Sequence, residues 1–253
     1  MRAVGHFAWW SEFINSVPSK AQEETPPPLS HEQPQTGSWS ETQARTLLQE
    51  AGIPIVPARL ATTEDEAVTS AREIGLPVAL KIQSPALPHK SDVGGVALNL
   101  NSEAAVREEF TAMLARVQAI RPDAEIEGIL ISPMRLGGTE LLVGIVHDEL
   151  WGPVLTLGLG GVWTEVLKDT AVRVLPVSRE EIEKMLDELR GAALLHGARG
   201  QKGVDIEALS GIIYRVSGLA LALGPFLNAL EINPLLANGA HIEALDVLVS
   251  WQE

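Results

Sequence analysis

Hydrophobic residues recur at helical and at strand-like spacing in regular alternation from Ser38 to the end of the chain. After a capping-box pattern at 38–41, apolar residues three and four apart predict a first helix that Gly52 ends. The same reasoning predicts four more helices, over 63–75, 102–120, 178–190 and 205–223. Short apolar runs predict eight strands, over 53–59, 77–82, 96–100, 126–134, 140–147, 154–157, 229–236 and 241–249. Because adjacent strands are joined by short turns, the pattern indicates an α+β fold rather than a doubly wound parallel sheet.

The first 37 residues lack this regular alternation of predicted helices and strands. A short helix is predicted within residues 1–16, which contain Phe7, Trp9, Trp10 and Phe13. Residues 18–37 are rich in proline and polar side chains, and such a segment buries too little apolar surface to offset the entropy lost on ordering. We therefore expect a linker there, preceded by a remnant helix that looks like the end of another domain.

The composition narrows the class of protein and its compartment. The chain has 253 residues, 45% of them apolar, which suffices for one large domain or two packed lobes. Its 33 acidic and 19 basic residues give a formal net charge of −14, which disfavours nucleic acid and anionic membranes as partners. Cysteine is absent, which excludes disulfides, thiolate zinc sites and cysteine nucleophiles. No apolar run reaches about 18–20 residues and no signal-peptide pattern is found, so we expect a cytoplasmic protein with no membrane partner and no nucleic-acid partner.

Oxygen-bearing side chains near the end of the chain suggest a metal site. Residues two apart on a strand share a face, so Glu231 and Asn233 should project side by side. Asp246 lies on the next predicted strand and can reach the same space. Two carboxylates and an amide oxygen suit Mg²⁺, with phosphate oxygens completing its shell. The alternative is a polar face on an edge strand, with Asn233-Pro234 as a simple turn signal.

Two lysines and a histidine form a second candidate group. Lys81 lies inside an apolar strand, where it needs an anion, either a nucleotide phosphate or a structural carboxylate. The loop at 85–96 combines two prolines, the run His89-Lys90-Ser91-Asp92 and two glycines. His89, with an ordinary pKa of about 6.5, is largely neutral near pH 7 and able to attack phosphorus, and Lys90 can neutralise phosphate charge. The alternative is a loop histidine with no chemical role.

A glycine-rich turn at 158–161 comes directly after a predicted strand and is by itself a weak phosphate-binding signal. The residues here and beyond that could line a polar cleft are Gly160, Gly161, Glu165, Asp169 and Arg199. They could equally be solvated positions. The sequence contains no His-x-x-x-His or Glu-x-x-His pair and no Gly-x-Ser-x-Gly elbow, which argues against a zinc or di-iron site and against an α/β-hydrolase.

Taken in order, five segments resemble the ATP-grasp part of the ADP-forming acyl-CoA synthetases. That family includes ADP-forming acetate–CoA ligase and is related to succinyl-CoA synthetase. The segments are Pro77-Val78-Ala79-Leu80-Lys81, the histidine loop at 88–96, the glycine-rich turn with its continuation at 158–169, Gly197-Ala198-Arg199-Gly200, and Leu230-Glu231-Ile232-Asn233-Pro234-Leu235. The histidine loop is specific to this branch, whereas the Glu-x-Asn-Pro strand is shared more widely among ATP-grasp relatives. The resemblance covers about residues 38–253.

The resemblance implies an ATP-grasp fold, in which two α/β lobes hold ATP or ADP between them. It implies a smaller lobe at 38–125 and a larger lobe at 126–253, after the remnant and linker at 1–37. It implies nucleotide contacts at Lys81, Lys90 and Glu140, and adenine contacts from the strand that contains Ile131, Ser132 and Met134. It also implies Mg²⁺ ligands at Glu231, Asn233 and Asp246, and a phosphoryl-carrying role for His89.

The same resemblance implies a reaction and a partner. In the family, acyl-CoA and phosphate give an acyl phosphate, and the phosphoryl group passes to a histidine and then to ADP. This chemistry also needs a CoA-binding domain and a ligase domain, so we expect a partner domain or α-type subunit that brings the acyl-CoA or carboxylic acid. Two alternatives stay open: a nucleotide-binding module without turnover, and another ATP-grasp ligase that uses no phosphohistidine and stays active after His89→Asn.

Overall fold

The computed structural model describes residues 37–160, 169–197 and 203–252, which form six α-helices and eleven strands. The helices are α1 (Glu41–Glu50), α2 (Glu64–Ile74), α3 (Glu103–Ile120), α4 (Arg179–Glu188), α5 (Ala192–Leu195) and α6 (Ile206–Leu223). The strands are β1 (Gly37–Ser38), β2 (Arg59–Ala61), β3 (Val78–Gln83), β4 (Val96–Leu100), β5 (Gly128–Pro133), β6 (Thr139–Asp148), β7 (Gly152–Leu159), β8 (Thr170–Val174), β9 (Leu227–Asn238), β10 (His241–Ala244) and β11 (Val247–Trp251). Two short 3-10 helices cover Lys90–Val93 and Gly224–Phe226.

Side-chain caps determine where the helices begin. The predicted caps Thr63, Ser102, Ser178 and Asp205 each accept a hydrogen bond from the backbone N–H three residues on. The predicted capping box begins at Ser38, but the first helix begins at Glu41, so its cap lies two residues later than predicted. Its cap is Ser40, whose backbone N–H donates to the side chain of Gln43 at 3.0 Å.

The strands pair into two antiparallel sheets, which confirms the α+β prediction. The larger sheet has seven strands in the order β1-β11-β9-β6-β7-β8, with β10 also paired to β9. The smaller sheet has four strands in the order β2-β5-β3-β4. The sequence division placed β5 with the larger lobe, but β5 pairs with β2 and β3. The smaller sheet therefore extends to Pro133. The same division placed α1 with the smaller lobe, but α1 packs into the core of the larger sheet through Ala44, Leu47 and Leu48.

Two predicted strands differ from the strands that form, and the observed strands β1 and β8 were not predicted. Residues 53–59 make only an isolated parallel bridge, from Ile55 to Ala244, and β2 begins at Arg59. The predicted strand at 241–249 is divided into β10 and β11, because the chain leaves the ladder at Leu245 and Asp246. Strand β8 was not predicted, because its five residues are short of a clear alternation.

Each sheet has its own hydrophobic core. The larger core packs one face of the larger sheet against α1, α4 and α6, and the smaller core packs the smaller sheet against α2 and α3. Helix α6 is long and apolar enough to match a membrane span by length and composition. Its Leu209, Ile213 and Val216 are fully buried in the larger core.

Candidate functional site

Strand alternation brings the predicted metal ligands to the open face of the larger sheet. Leu230 and Ile232 of β9 are fully buried in the larger core, so Glu231 and Asn233 point to the opposite face. The side-chain amide nitrogen of Asn233 donates to a carboxylate oxygen of Glu231 at 3.1 Å. The two side chains are therefore adjacent, as the sequence predicted.

A cavity of about 280 Å³ joins these two side chains to the histidine loop. Among its lining residues are His89 and Lys90 of the loop, Glu231 and Asn233 of β9, and Asp246 from the break between β10 and β11. The loop belongs to the smaller lobe and the other three residues to the larger. The fold therefore brings the candidate phosphoryl carrier and the candidate metal ligands to one place.

At this cavity, Asp246 forms ion pairs with two lysines of the smaller lobe. Lys81 Nζ, from β3, lies 3.0 Å from Oδ2 of Asp246 and also donates to the carbonyl oxygen of Leu245 at 2.7 Å. Lys90 Nζ lies 3.0 Å from Oδ1 of Asp246. Burial alone would raise the pKa of the Asp246 carboxyl, but the two ammonium groups outweigh burial and lower this pKa to about 2. The carboxylate therefore stays ionised at physiological pH.

Lys90 has a second carboxylate partner that the sequence analysis did not single out. Its Nζ lies 3.0 Å from Oε2 of Glu41, in the first turn of α1. The side chain of Glu41 is only 1% exposed. Burial alone would lower the pKa of the Lys90 ammonium, but Asp246 and Glu41 together raise it above its ordinary value. Lys90 is thus a charged, part-buried link between the lobes.

Glu41 could have been found from one sequence signal. It lies three residues before Ala44 and seven before Leu48, so it shares the buried face of α1 with them. A carboxylate on an apolar helix face needs a cationic partner. The sequence does not say that the partner is Lys90, 49 residues on, because that contact depends on how the lobes pack.

The backbone of the histidine loop turns back on itself after His89. His89 is exposed and precedes the 3-10 helix Lys90–Val93. Gly94 has a φ of 64°, in the left-handed region that favours glycine, and its carbonyl oxygen accepts hydrogen bonds from Arg116 at 3.0 and 2.7 Å. A Cβ at Gly95 would collide with Ile82. Gly94 thus supplies a left-handed backbone conformation, and Gly95 allows a close approach to Ile82.

The residues present fit a magnesium–phosphate site rather than a site built from protein ligands alone. Within residues 37–160, 169–197 and 203–252, no group of three histidine, cysteine, aspartate or glutamate side chains could hold a metal by itself. Asn233 donates to Glu231 through its amide nitrogen, which leaves its amide oxygen available to a cation. Mg²⁺ commonly takes one or two carboxylates and completes its shell with phosphate oxygens and water.

The predicted adenine-binding strand β5 lies inside the smaller sheet. Lys81 pairs with Leu130, so Ser132, two residues on, shares the face of Lys81. Ile131 points the other way and is fully buried in the smaller core. Because Ile131 also lies between two paired strands, its backbone is enclosed by the sheet. Met134 lies just beyond the end of β5, and its backbone N–H already donates to the carbonyl oxygen of Pro77 at 3.0 Å.

Glu140 and Gly160 lie together on adjacent strands of the larger sheet. The backbone N–H of Gly160 donates to the carbonyl oxygen of Glu140 at 2.6 Å. Glu140 is exposed, and it pairs with Leu236, which in turn pairs with Glu243. Glu140 and Glu243 therefore flank one leucine on the same open face that carries Glu231.

A second link between the lobes was also missed by the sequence analysis. Arg135, just after β5, forms an ion pair with Glu243 of β10, whose side chain is 5% exposed. His241 Nε2 lies 3.0 Å from the same carboxylate. Burial alone would raise the pKa of the Glu243 carboxyl, but Arg135 and His241 outweigh it and lower this pKa. The sequence signal for this link was Glu243, a charged residue between the apolar Ile242 and Ala244 of a strand.

Asp169, a further cleft candidate, is not among the residues that line the cavity. Asp169 is buried, and its two carboxylate oxygens accept hydrogen bonds from the backbone N–H groups of Arg190 and Gly191, at 2.9 and 3.0 Å. The Asp169 carboxylate therefore has a structural role, because it accepts hydrogen bonds from the backbone just after α4. Gly161, Glu165 and Arg199 lie outside the described residues.

Comparison with known proteins gives one family and close relatives within it. Residues 31–250 match the family model described as ATP-grasp domain. The chain is 41% identical over 206 residues to the acetate–CoA ligase (ADP-forming) I subunit beta of Pyrococcus furiosus, covering 81% of this chain and 88% of that protein. It is also 41% identical over 189 residues to the acetate–CoA ligase (ADP-forming) I of Archaeoglobus fulgidus, covering 75% of this chain but 27% of that longer protein.

Solved structures give the same result. The dinucleotide-forming acetyl-coenzyme A synthetase 1 of Ca. Korarchaeum cryptofilum, in complex with coenzyme A, Ca-AMPCP and HgCl⁺, matches with a TM-score of 0.80 and 39% identity. The match covers 85% of this chain and 94% of that chain. Another structure of that enzyme contains coenzyme A and Mg-AMPPCP, with a phosphohistidine segment pointing towards the nucleotide-binding site, and matches with a TM-score of 0.71 and 34% identity, covering 85% of this chain and 93% of that chain.

Proposed function

The chain belongs to the ATP-grasp family, among the ADP-forming acyl-CoA ligases, and from this membership we propose that it is the nucleotide-binding, phosphoryl-transferring half of such a ligase. The overall reaction is acyl-CoA + ADP + phosphate ⇌ carboxylic acid + CoA + ATP, through an acyl phosphate and a phosphohistidine. The observation that supports these roles is the shared cavity, which His89, Glu231, Asn233 and Asp246 line together.

The side chains around the cavity have three roles: nucleophile, neutralisation of phosphate charge, and metal binding. In the direction of ATP cleavage, a neutral ring nitrogen of His89 attacks the γ-phosphorus. The P–N bond forms as the bond from phosphorus to the bridging oxygen breaks, ADP leaves, and the other ring nitrogen keeps its proton. Lys81 and Lys90 neutralise phosphate charge, while Glu231, Asn233 and Asp246 hold Mg²⁺ by their oxygen atoms. Bound Mg²⁺ supplies further charge neutralisation for the phosphates.

Nucleotide binding would change the ion-pair partners of Lys81 and Asp246. Lys81 and Asp246 are paired with each other at 3.0 Å. With Mg-nucleotide bound, Lys81 would pair with a phosphate instead of the carboxylate, and Asp246 would offer its oxygen atoms to the cation instead of to the lysines. Each charge has a partner before and after the exchange, which avoids an unpaired part-buried charge at either stage.

The kind of partner is indicated by the relatives. One relative is named as a beta subunit, and this chain matches only 27% of another, single-chain ligase. We propose that a CoA-binding and ligase partner, as a domain or an α-type subunit, holds CoA and the acyl group, so that this chain alone does not form acyl-CoA. The lack of cysteine and the kinship with these ligases fit a cytoplasmic enzyme.

Replacing Lys81 tests the nucleotide site. We expect Lys81→Met to raise the Kd for Mg-ATP by about 10- to 100-fold, which is roughly 1.4 to 2.7 kcal/mol, because one phosphate contact from a charged group is lost. Isothermal titration calorimetry of the purified chain with Mg-ATP measures this Kd.

The matched control is Lys184→Met, an exposed lysine on α4 that removes the same charge away from the cavity. It should leave the Kd within about 2-fold of the wild type, because exposed distant charges are screened by salt. Equal Kd values for Lys81→Met and Lys184→Met would contradict the proposed phosphate contact.

A further inference from the structure

Glu41 is a buried carboxylate beside the site to which the proposed function gives no role. Its side chain is 1% exposed, and it is not among the residues that line the cavity. Burying an ionised carboxylate costs free energy unless the charge is paired. Its partners therefore indicate what it does.

Glu41 is fixed to the larger lobe. Its helix α1 packs into the larger core through Ala44, Leu47 and Leu48, all fully buried. Arg45, one turn on, lies 3.4 Å from the Glu41 carboxylate and also donates to the carbonyl oxygen of Val56. Gln83 Nε2, from β3 of the smaller sheet, also donates to Oε2 of Glu41 at 3.3 Å. The carboxylate is thus fixed by its helix to the larger lobe and contacts the smaller lobe through Gln83 and Lys90.

The histidine loop is held at both ends by the smaller lobe, but its middle is held by the larger lobe. At the ends, Leu87 and Val93 are buried in the smaller core. Between them, His89 is exposed. The side chain of the next residue, Lys90, crosses to Glu41 and Asp246 at 3.0 Å each. Lys90 therefore sets where the exposed histidine lies relative to the larger lobe.

The two carboxylate partners of Lys90 differ in what else they do. Asp246 lines the cavity beside Glu231 and Asn233 and is a proposed cation ligand. When Asp246 turns to the cation, Lys90 loses that partner. Glu41 is not among the residues that line the cavity, so a cation bound there would not compete for its contact with Lys90.

We propose that Glu41 is a positioning residue, which anchors Lys90 and through it the His89 loop while Asp246 passes from the lysines to the cation. This inference rests on the proposed function, because it assigns Glu41 to the phosphoryl-transfer step and not to nucleotide binding. Glu41 touches neither substrate nor the reacting atoms. Its removal should therefore affect the loop and the transfer rate but not the affinity for nucleotide.

Hydrogen–deuterium exchange of the nucleotide-free chain tests the anchor without any catalysis. In Glu41→Gln, which keeps the size and removes the charge, peptides covering 86–95 should exchange about 10-fold faster than in the wild type, because opening of the loop loses one ion-pair contact. Peptides covering 140–148 should be unchanged. Unchanged exchange at 86–95, or faster exchange everywhere, would overturn the proposal.

The kinetic test uses the same variant and a matched control. Glu108→Gln removes an exposed carboxylate on α3 and should match the wild type. Glu41→Gln should bind Mg-ATP within about 2-fold of the wild-type Kd but label His89 at least about 10-fold more slowly. An equal labelling rate, or a weakened Kd that accounts for the whole loss, would show that Glu41 does not position the loop.

A double-mutant cycle separates the anchor from general destabilisation. With Lys90→Met already present, Glu41→Gln should cause little additional loop exchange, because the contact is already missing. Additive effects would refute a direct Glu41–Lys90 anchor. Should the wild-type chain bind Mg-ATP but never label, with its partner present, the proposed phosphoryl transfer fails, while the exchange experiment still decides the anchor.

Discussion

His89→Asn should abolish the phosphoryl label that the wild-type chain acquires from γ-labelled ATP and Mg²⁺. The lost nitrogen nucleophile has no substitute among the lining side chains, because the other nitrogen groups there are the positively charged ammonium of Lys90 and the non-nucleophilic amide of Asn233. We expect at least a 1,000-fold loss, about 4 kcal/mol or more of transition-state stabilisation. Retention of the protein-bound label after base and its loss after acid identify phosphohistidine.

The matched control is His147→Asn, on β6 and outside the cavity lining. It should label like the wild type. Label retained on His89→Asn would contradict the carrier role of His89 and mean that another residue carries the phosphoryl group. Ligase activity retained by this variant without label, with the partner present, would favour an ATP-grasp ligase that works without phosphohistidine. Nucleotide binding with no label on the wild type, even with the CoA-binding partner added, would identify a binding module without turnover.

Asp246→Asn should destabilise the nucleotide-free chain by about 3 kcal/mol, at the low end for breaking a buried ion pair because Asp246 is 22% exposed. The change leaves Lys81, whose side chain is 11% exposed, without a carboxylate, and leaves Lys90 with Glu41 alone. Urea unfolding in the presence of EDTA measures this loss of the free energy of unfolding. EDTA removes any cation that would itself favour the wild type.

Asp148→Asn is the control, because Asp148 is exposed and an asparagine there can still accept from the backbone N–H groups of Leu150 and Trp151. It should change the free energy of unfolding by less than about 0.5 kcal/mol. A loss in Asp246→Asn no larger than in this control would show that the two lysines do not depend on the carboxylate.

The low pKa of Asp246 gives the same experiment a pH dependence. A carboxyl whose pKa is lower in the folded chain stabilises it at pH values above the ordinary pKa of 3.8, and this contribution is lost as the pH falls to about 2. The difference in unfolding free energy between the wild type and Asp246→Asn should therefore be full at pH 7 and shrink between pH 4 and 2. A constant difference over that interval would contradict the assignment.

Local sequence signals predicted most helix starts and the pairing of Glu231 with Asn233. The caps Ser102 and Asp205 needed only neighbours three residues away, and the two ligands needed only the period of a strand. The adjacency of Glu231 and Asn233 was predictable because it depends on no distant contact. The resemblance to a family then supplied the roles that these residues are proposed to have.

The contacts between the lobes were not predictable in this way. Lys90 and Asp246 are 156 residues apart, and Arg135 and Glu243 are 108 apart. Periodicity says which face of an element is polar, but not which polar face meets which. The same limit explains why the sequence left two partners open for Lys81, a phosphate or a carboxylate. In the structure, the partner of Lys81 is the carboxylate of Asp246.

The pairing of Lys81 with Asp246 also changes how ionic strength should act on the nucleotide. For an anion that enters a site of free cations, added salt screens the attraction and weakens binding. Here salt also weakens the internal ion pairs that must separate before the phosphates and the cation can take their places. The two effects oppose each other, so affinity for Mg-ATP should fall less steeply with salt than the charge of the ligand alone would suggest.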